Sequence, residues 1–287
     1  MRRFLKKILY FLSLIVIFAC VVFISMDLFV NRKQSENSIF IWGDSQAYQG
    51  FDLELLAKTT NKTIFSAAKH GAGVYDFLVF ANKVPKKSTI LLSISKPMQL
   101  RRKENDYNRS GISLSSLITL KKHNYSFLEI IEILNNNIKQ PCKSLYISKN
   151  PILYNYADSI VFDEPIQLFN DIYKNVPEYL FNKQDIFLIG LEILKKKNCE
   201  IYLIEFPYHP ILVDIESQSP IFHLTDRFFN KAILLSNNSS TYILDLDNEK
   251  QVMHDLTHLN KHGAELVTNF IADKLGTDTI MNFQIIY

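Results

Sequence analysis

The sequence predicts an α/β protein, a parallel sheet with helices on both faces. Three observations carry that expectation. Strand-length apolar runs rich in Ile and Leu recur along the chain, helix-length amphipathic segments separate them, and the alternation appears at both ends of the region after the first forty residues. Residues 39–42, 62–66, 88–94, 200–206 and 241–244 read as strands, the fourth stopped by Pro207. Residues 52–58, 74–82, 221–235 and 261–274 read as helices. Between the two halves, residues 96–185 are rich in Asn, Tyr and Lys, with a helical patch at 127–138. This stretch reads as a mainly helical insertion, a cap over the functional edge of the sheet.

Composition supports a packed domain. Of 287 residues, 47% are hydrophobic and 21% charged, which supplies ample material for a core. The net charge of +3 is no larger than the cluster Arg2, Arg3, Lys6 and Lys7, so no broad basic face for nucleic acid is implied. The cysteines are Cys20, Cys142 and Cys199, with no Cys-x-x-Cys and no zinc spacing. Cys142 and Cys199 could pair in an oxidising compartment or stay as buried thiols.

The N-terminus predicts a membrane anchor. Residues 8–25 contain no charge, and a bilayer-spanning helix needs about 20 apolar residues. A cleaved signal peptide would have a shorter apolar region ending in a small-x-small site, which this run lacks. A lipoprotein signal at Cys20 would turn polar after the cysteine, and here Val21, Val22 and Phe23 follow. The basic cluster stays in the cytoplasm by the positive-inside rule, leaving the remainder outside. The expected organisation is thus a cytoplasmic tail, anchor and polar linker at 1–37, then an α/β domain at 38–287.

Two short segments carry the chemistry. Gly43, Asp44 and Ser45 directly follow the first strand, where ligands bind in an open parallel sheet. Taken alone, this is also an ordinary turn sequence. Near the other end, Asp255 and His258 sit three apart on one loop. A serine hydroxyl needs an imidazole to take its proton, and the imidazole needs a carboxylate on its other nitrogen. His254 and His262 compete with His258 for the base role, and Asn260 reads as a cap of the last helix.

Together these segments resemble the SGNH, or GDSL-like, hydrolase family. Gly43-Asp44-Ser45 is similar to its first block. Asp255-x-x-His258, continuing through Leu259, Asn260, Gly263 and Ala264, is similar to its last. The resemblance spans about residues 39–274, with motifs at the ends only. It implies a flavodoxin-like three-layer α/β/α fold with Ser45 as nucleophile and first oxyanion donor, His258 as base and Asp255 as its partner. The second-block glycine is Gly73 or Gly71. The third-block Asn has no counterpart after 88–94, so Ser95 or a backbone amide would have to stand in, since one oxyanion donor is worth about 100- to 1000-fold in rate.

The resemblance implies a serine esterase or O-acyltransferase on extracytoplasmic carbohydrate esters, needing no metal or organic cofactor. The partners it implies are the lipid bilayer and a glycan or acylated envelope substrate. The alternatives are an inactive relative that binds glycan in an envelope assembly and a lipase acting near the anchor. Tyr208 and His209, leaving the fourth strand, are candidate substrate-binding residues, and Arg101 and Arg102 could meet an anionic substrate.

Overall fold

The computed structural model describes residues 38–94, 113–137, 184–208, 212, 241–243 and 252–276, and scattered positions between 4 and 21. The chain divides into the units Met1–Glu36 and Asn37–Tyr287. In the first unit the described residues are helical, and Tyr10, Phe11, Leu14, Ile17, Phe18 and Val21 are exposed. The rest of the apolar run 8–25 lies outside the described residues, among which no helix is long and apolar enough to cross a membrane.

The second unit is an α/β fold. Its strands are β1 (Ser38–Trp42), β2 (Thr63–Ser66), β3 (Thr89–Ser93), β4 (Glu200–Glu205) and β5 (Thr241–Ile243). All pairings are parallel, in the order β2-β1-β3-β4-β5. The helices are α1 (Ser45–Gly50), α2 (Leu53–Thr60), α3 (Val74–Lys83), α4 (Leu114–Lys122), α5 (Phe127–Asn137), α6 (Gln184–Lys196) and α7 (Lys261–Gly276). Within the stretch expected to be an insertion, α4 and α5 are helical, and residues 96–112 and 138–183 lie outside the described set, as does the helix expected at 221–235.

Alternation along the strands builds two cores. Phe40 and Trp42 of β1, with Ile90, Leu92, Ile201 and Leu203, face α3 to α6. There Phe77 of α3 stacks on Phe187 of α6 with centroids 4.3 Å apart, and Trp42 lies 4.8 Å from Phe77. On the opposite face Ile39, Ile41, Leu91 and Ile204 meet Phe51, Leu56 of α2, and Val267 and Ile271 of α7. Strands buried on both faces explain why they read as near-continuous apolar runs.

Local chemistry fixes the helix ends. Asp52 caps α2 by accepting the N–H groups of Glu54 and Leu55 at 3.1 and 3.0 Å, and Asn61 ends it in the left-handed region with φ 52°. Asp76 in the first turn of α3 accepts the Gly73 N–H at 3.1 Å and the Lys69 ammonium at 2.7 Å, which satisfies a carboxylate only 1% exposed. At the other end of α3, Lys197 donates to the carbonyls of Ala81, Asn82 and Val84 at 2.9, 2.7 and 2.7 Å. Burial pushes its pKa down to about 8, against an upward pull from Cys199. Cys199 is itself buried, its thiol donating to the Pro85 carbonyl at 3.5 Å, while Cys142 lies outside the described residues.

Replacing Lys197 by Met leaves three carbonyls at the end of α3 without their donor. We expect a loss of about 1–3 kcal/mol in stability, the cost of leaving such groups unsatisfied, measured by urea unfolding with an unchanged m-value.

Candidate functional site

Ligands of open parallel sheets bind beyond the carboxyl ends of the strands, where the strand order reverses. With β2 on one side of β1 and β3 on the other, that point lies between β1 and β3. Gly43, directly after β1, stands there beside Ser93, the last residue of β3. A Cβ on Gly43 would come within 2.4 Å of the Ala47 Cβ and 2.6 Å of the Ser93 Cβ, so only glycine fits. Asp44 caps α1, its carboxylate accepting the Gln46 N–H at 3.0 Å. Ser45 therefore opens a helix instead of occupying a plain turn, and its side chain is partly exposed.

The second half of the site is a hairpin-shaped loop before α7. Met253 and Leu259 form an antiparallel bridge, and the Asn260 N–H donates to Val252 O at 2.9 Å. Asn260 caps α7 through its side chain, accepting from the Gly263 N–H at 2.9 Å. A Cβ on Gly263 would meet the Val252 carbonyl at 2.4 Å. The Asn and Gly of this segment are thus accounted for by the turn into the helix.

Inside that loop Asp255 organises His258. One carboxylate oxygen of Asp255 accepts the N–H groups of Thr257 and His258, each at 2.8 Å. The other lies 2.7 Å from His258 Nδ1. Thr257 Oγ1 is 3.1 Å from the same nitrogen and 3.2 Å from Asp255. Burial raises the Asp255 pKa, but the His258 hydrogen bond and charge and the two N–H donors outweigh it and hold the carboxyl at about 2. With Nδ1 engaged, His258 Nε2 is left as the outward nitrogen. It is buried, with no hydrogen-bond partner among the described residues.

This pairing separates the three histidines that the sequence left open. His258 carries the carboxylate contact, His262 is exposed on α7, and the His254 N–H donates to the His258 carbonyl at 2.7 Å.

Among the described residues a hydrogen bond links the two halves, which lie far apart in the chain. Gln46 Nε2 donates to Thr257 O at 2.9 Å across 211 positions. The neighbour of Ser45 thus touches the neighbour of His258. The Ser45 hydroxyl and His258 Nε2 are not themselves hydrogen-bonded. His70 also approaches, its ring 6.5 Å from His258 and 4.8 Å from Tyr48. Neither Gln46 nor His70 was singled out from sequence as a site residue, because no periodicity or motif marks a contact made across so many positions.

The two glycines expected to offer an oxyanion donor differ. Gly73 is the N-cap of α3, and its N–H is taken by Asp76. Gly71 has φ 71° and sits third in a turn closed by Ala72 N–H to Lys69 O at 3.2 Å, a place that favours glycine. The Lys69 N–H donates in turn to Gly43 O at 3.2 Å, fastening this turn to the loop that follows β1. At the end of β3, Ser93 Oγ is buried with no partner among the described residues. Ser95, Arg101, Arg102 and His209 lie outside the described residues, and Tyr208 is buried, 8% exposed. Among the described residues no group of acidic, His or Cys side chains could hold a metal ion. The chain matches no protein-family model and no curated protein.

The Asp255 contacts have a pH signature. The folded pKa of about 2 lies below the ordinary 3.8, so their stabilisation is full above 3.8 and is lost as pH falls through 2. The side chain is 41% exposed, which keeps the effect modest. The difference in unfolding midpoint between the wild type and Asp255→Asn is expected to shrink as pH falls from 3.8 through 2, measured by denaturant titrations in small pH steps.

Proposed function

We propose that the protein is a serine ester hydrolase or O-acyltransferase of SGNH type, with Ser45 as nucleophile, His258 as general base and Asp255 as the residue that orients the base. The observation that supports it most is the Asp255–His258 contact at 2.7 Å, on a loop bonded to the residue beside Ser45. The strand order β2-β1-β3-β4-β5, with helices on both faces, agrees with the flavodoxin-like three-layer fold that this family shares.

The chemistry runs in two halves. The Ser45 hydroxyl adds to the ester carbonyl carbon while its proton passes to His258 Nε2. The carbonyl oxygen gathers negative charge, met by backbone N–H groups at Ser45 and at the Gly71 turn; Gly73 is the weaker choice because Asp76 occupies its N–H. The bond to the alcohol oxygen then breaks, and that oxygen takes the proton from His258. Water or a sugar hydroxyl attacks the acyl-Ser45 ester, gives its proton to His258, and leaves with the acyl group as Ser45 recovers its hydrogen. Asp255 stays ionised throughout and stabilises the imidazolium.

The apolar run 8–25 is the proposed anchor, placing the α/β unit outside the cytoplasm, where acylated envelope glycans are the substrate class. Exposed apolar side chains along the described part of this run support a lipid environment. A second reading, a glycan-binding relative with little activity, is favoured by Ser93 ending β3 with no Asn within the described residues there.

A fluorophosphonate separates the readings. The catalytic protein is labelled, and Ser45→Ala abolishes the labelling. Asp255→Asn is expected to lower the turnover of an activated acetyl ester about 10³- to 10⁴-fold, as loss of the orienting carboxylate does in serine hydrolases. Absence of labelling in a folded protein rejects the catalytic reading.

A further inference from the structure

We infer that Gln46 is a positioning residue, which sets the place of the His258 ring relative to Ser45 by gripping the peptide group that carries it. The inference rests on the esterase reading above. The peptide unit between Thr257 and His258 is held at both poles. Its C=O accepts from Gln46 Nε2 at 2.9 Å, and its N–H donates to Asp255 at 2.8 Å. A peptide plane bonded at one pole can still pivot about that contact, whereas bonds at both poles restrain the tilt of the plane. The His258 Cα is attached directly to this plane, so its orientation sets where the imidazole begins. Asp255 then fixes the ring from within the same loop, through Nδ1. Asp255 cannot place the loop against α1, because it belongs to the loop. Gln46 carries a directed hydrogen bond to the loop from the nucleophile's own helix, one position from Ser45, beside the apolar packing of Ala47 in the cluster that holds Val252 and Leu259.

The burial of Gln46 points the same way. Its side chain is only 4% exposed, and its Oε1 has no hydrogen-bond partner among the described residues. An apolar side chain of similar size would avoid that desolvation, so packing by itself does not call for an amide here. What the amide adds is a directed donor to a carbonyl across 211 positions.

The test uses the full-length protein in detergent and the rate constant of fluorophosphonate labelling. Gln46→Met and Gln46→Leu remove the donor and keep an apolar side chain of comparable size, and two variants guard against one failing to fold. A base displaced by about 1 Å can cost on the order of 100-fold, so labelling is expected to slow about 10- to 100-fold while the thermal transition remains cooperative. In a His258→Ala background, measured over long incubation, the same substitutions are expected to change the residual rate by less than twofold, because the group they position is gone.

Labelling within twofold of wild type would overturn the inference. So would equal slowing in both backgrounds, since Gln46 would then act through Ser45 or α1 alone. If wild type labels no better than Ser45→Ala, it is the esterase reading that fails. The positioning claim is then judged on the low-field proton resonance between Asp255 and His258. Gln46→Met should broaden or shift it, and an unchanged signal would sink the claim.

Discussion

A peptide group joins the turn after β1 to the loop before α7. The unit between Thr257 and His258 receives a hydrogen bond from Gln46 at its carbonyl and gives one to Asp255 at its N–H. The first contact reaches back to the turn after β1, and the second holds the loop that carries the imidazole. Around it the sheet supplies a rigid floor. Gly43 touches Ser93 across the β1–β3 boundary, and the Gly71 turn is fastened to Gly43 through Lys69. Three loops from three strands therefore converge on one edge, each held by hydrogen bonds or by contacts that allow no side chain.

Electrostatics at this edge are local. Asp255 is a carboxylate kept ionised by an imidazole and two N–H groups, despite partial burial. Asp76, more deeply buried, is satisfied by the Lys69 ammonium and the Gly73 N–H. Both carboxylates organise loops. Only Asp255 lies against a histidine whose other nitrogen is buried with no protein partner among the described residues, and that asymmetry gives one loop a chemical reading and the other a structural one.

Much of the framework was legible in the residues. The strands were expected at 39–42, 62–66, 88–94, 200–206 and 241–244, and they lie within a residue or so of those bounds, because buried parallel strands write themselves as short apolar runs. The helices α2, α3 and α7 were legible through their amphipathic spacing and, for α7, through Asn260 as a cap. Three helices, α1, α4 and α6, were not. α1 is only six residues long, and its Gly and Gln content masks any apolar stripe. α6 lies beside the Asn- and Lys-rich middle stretch, whose composition obscured the pattern of Ile186, Phe187, Leu191 and Leu194.

The sequence by itself determined the alternation of strands and helices, the serine after the first strand, and the Asp–His pair before the last helix. Those features are local, set by periodicity and by spacings of a few residues. The tertiary structure decided the lateral order of the strands, which of three histidines meets the carboxylate, that Gly73's N–H is already spent on Asp76, and that Gln46 reaches the carbonyl of Thr257. Each of these depends on which distant segments become neighbours, and hydrogen bonds between residues two hundred positions apart leave no trace in local pattern.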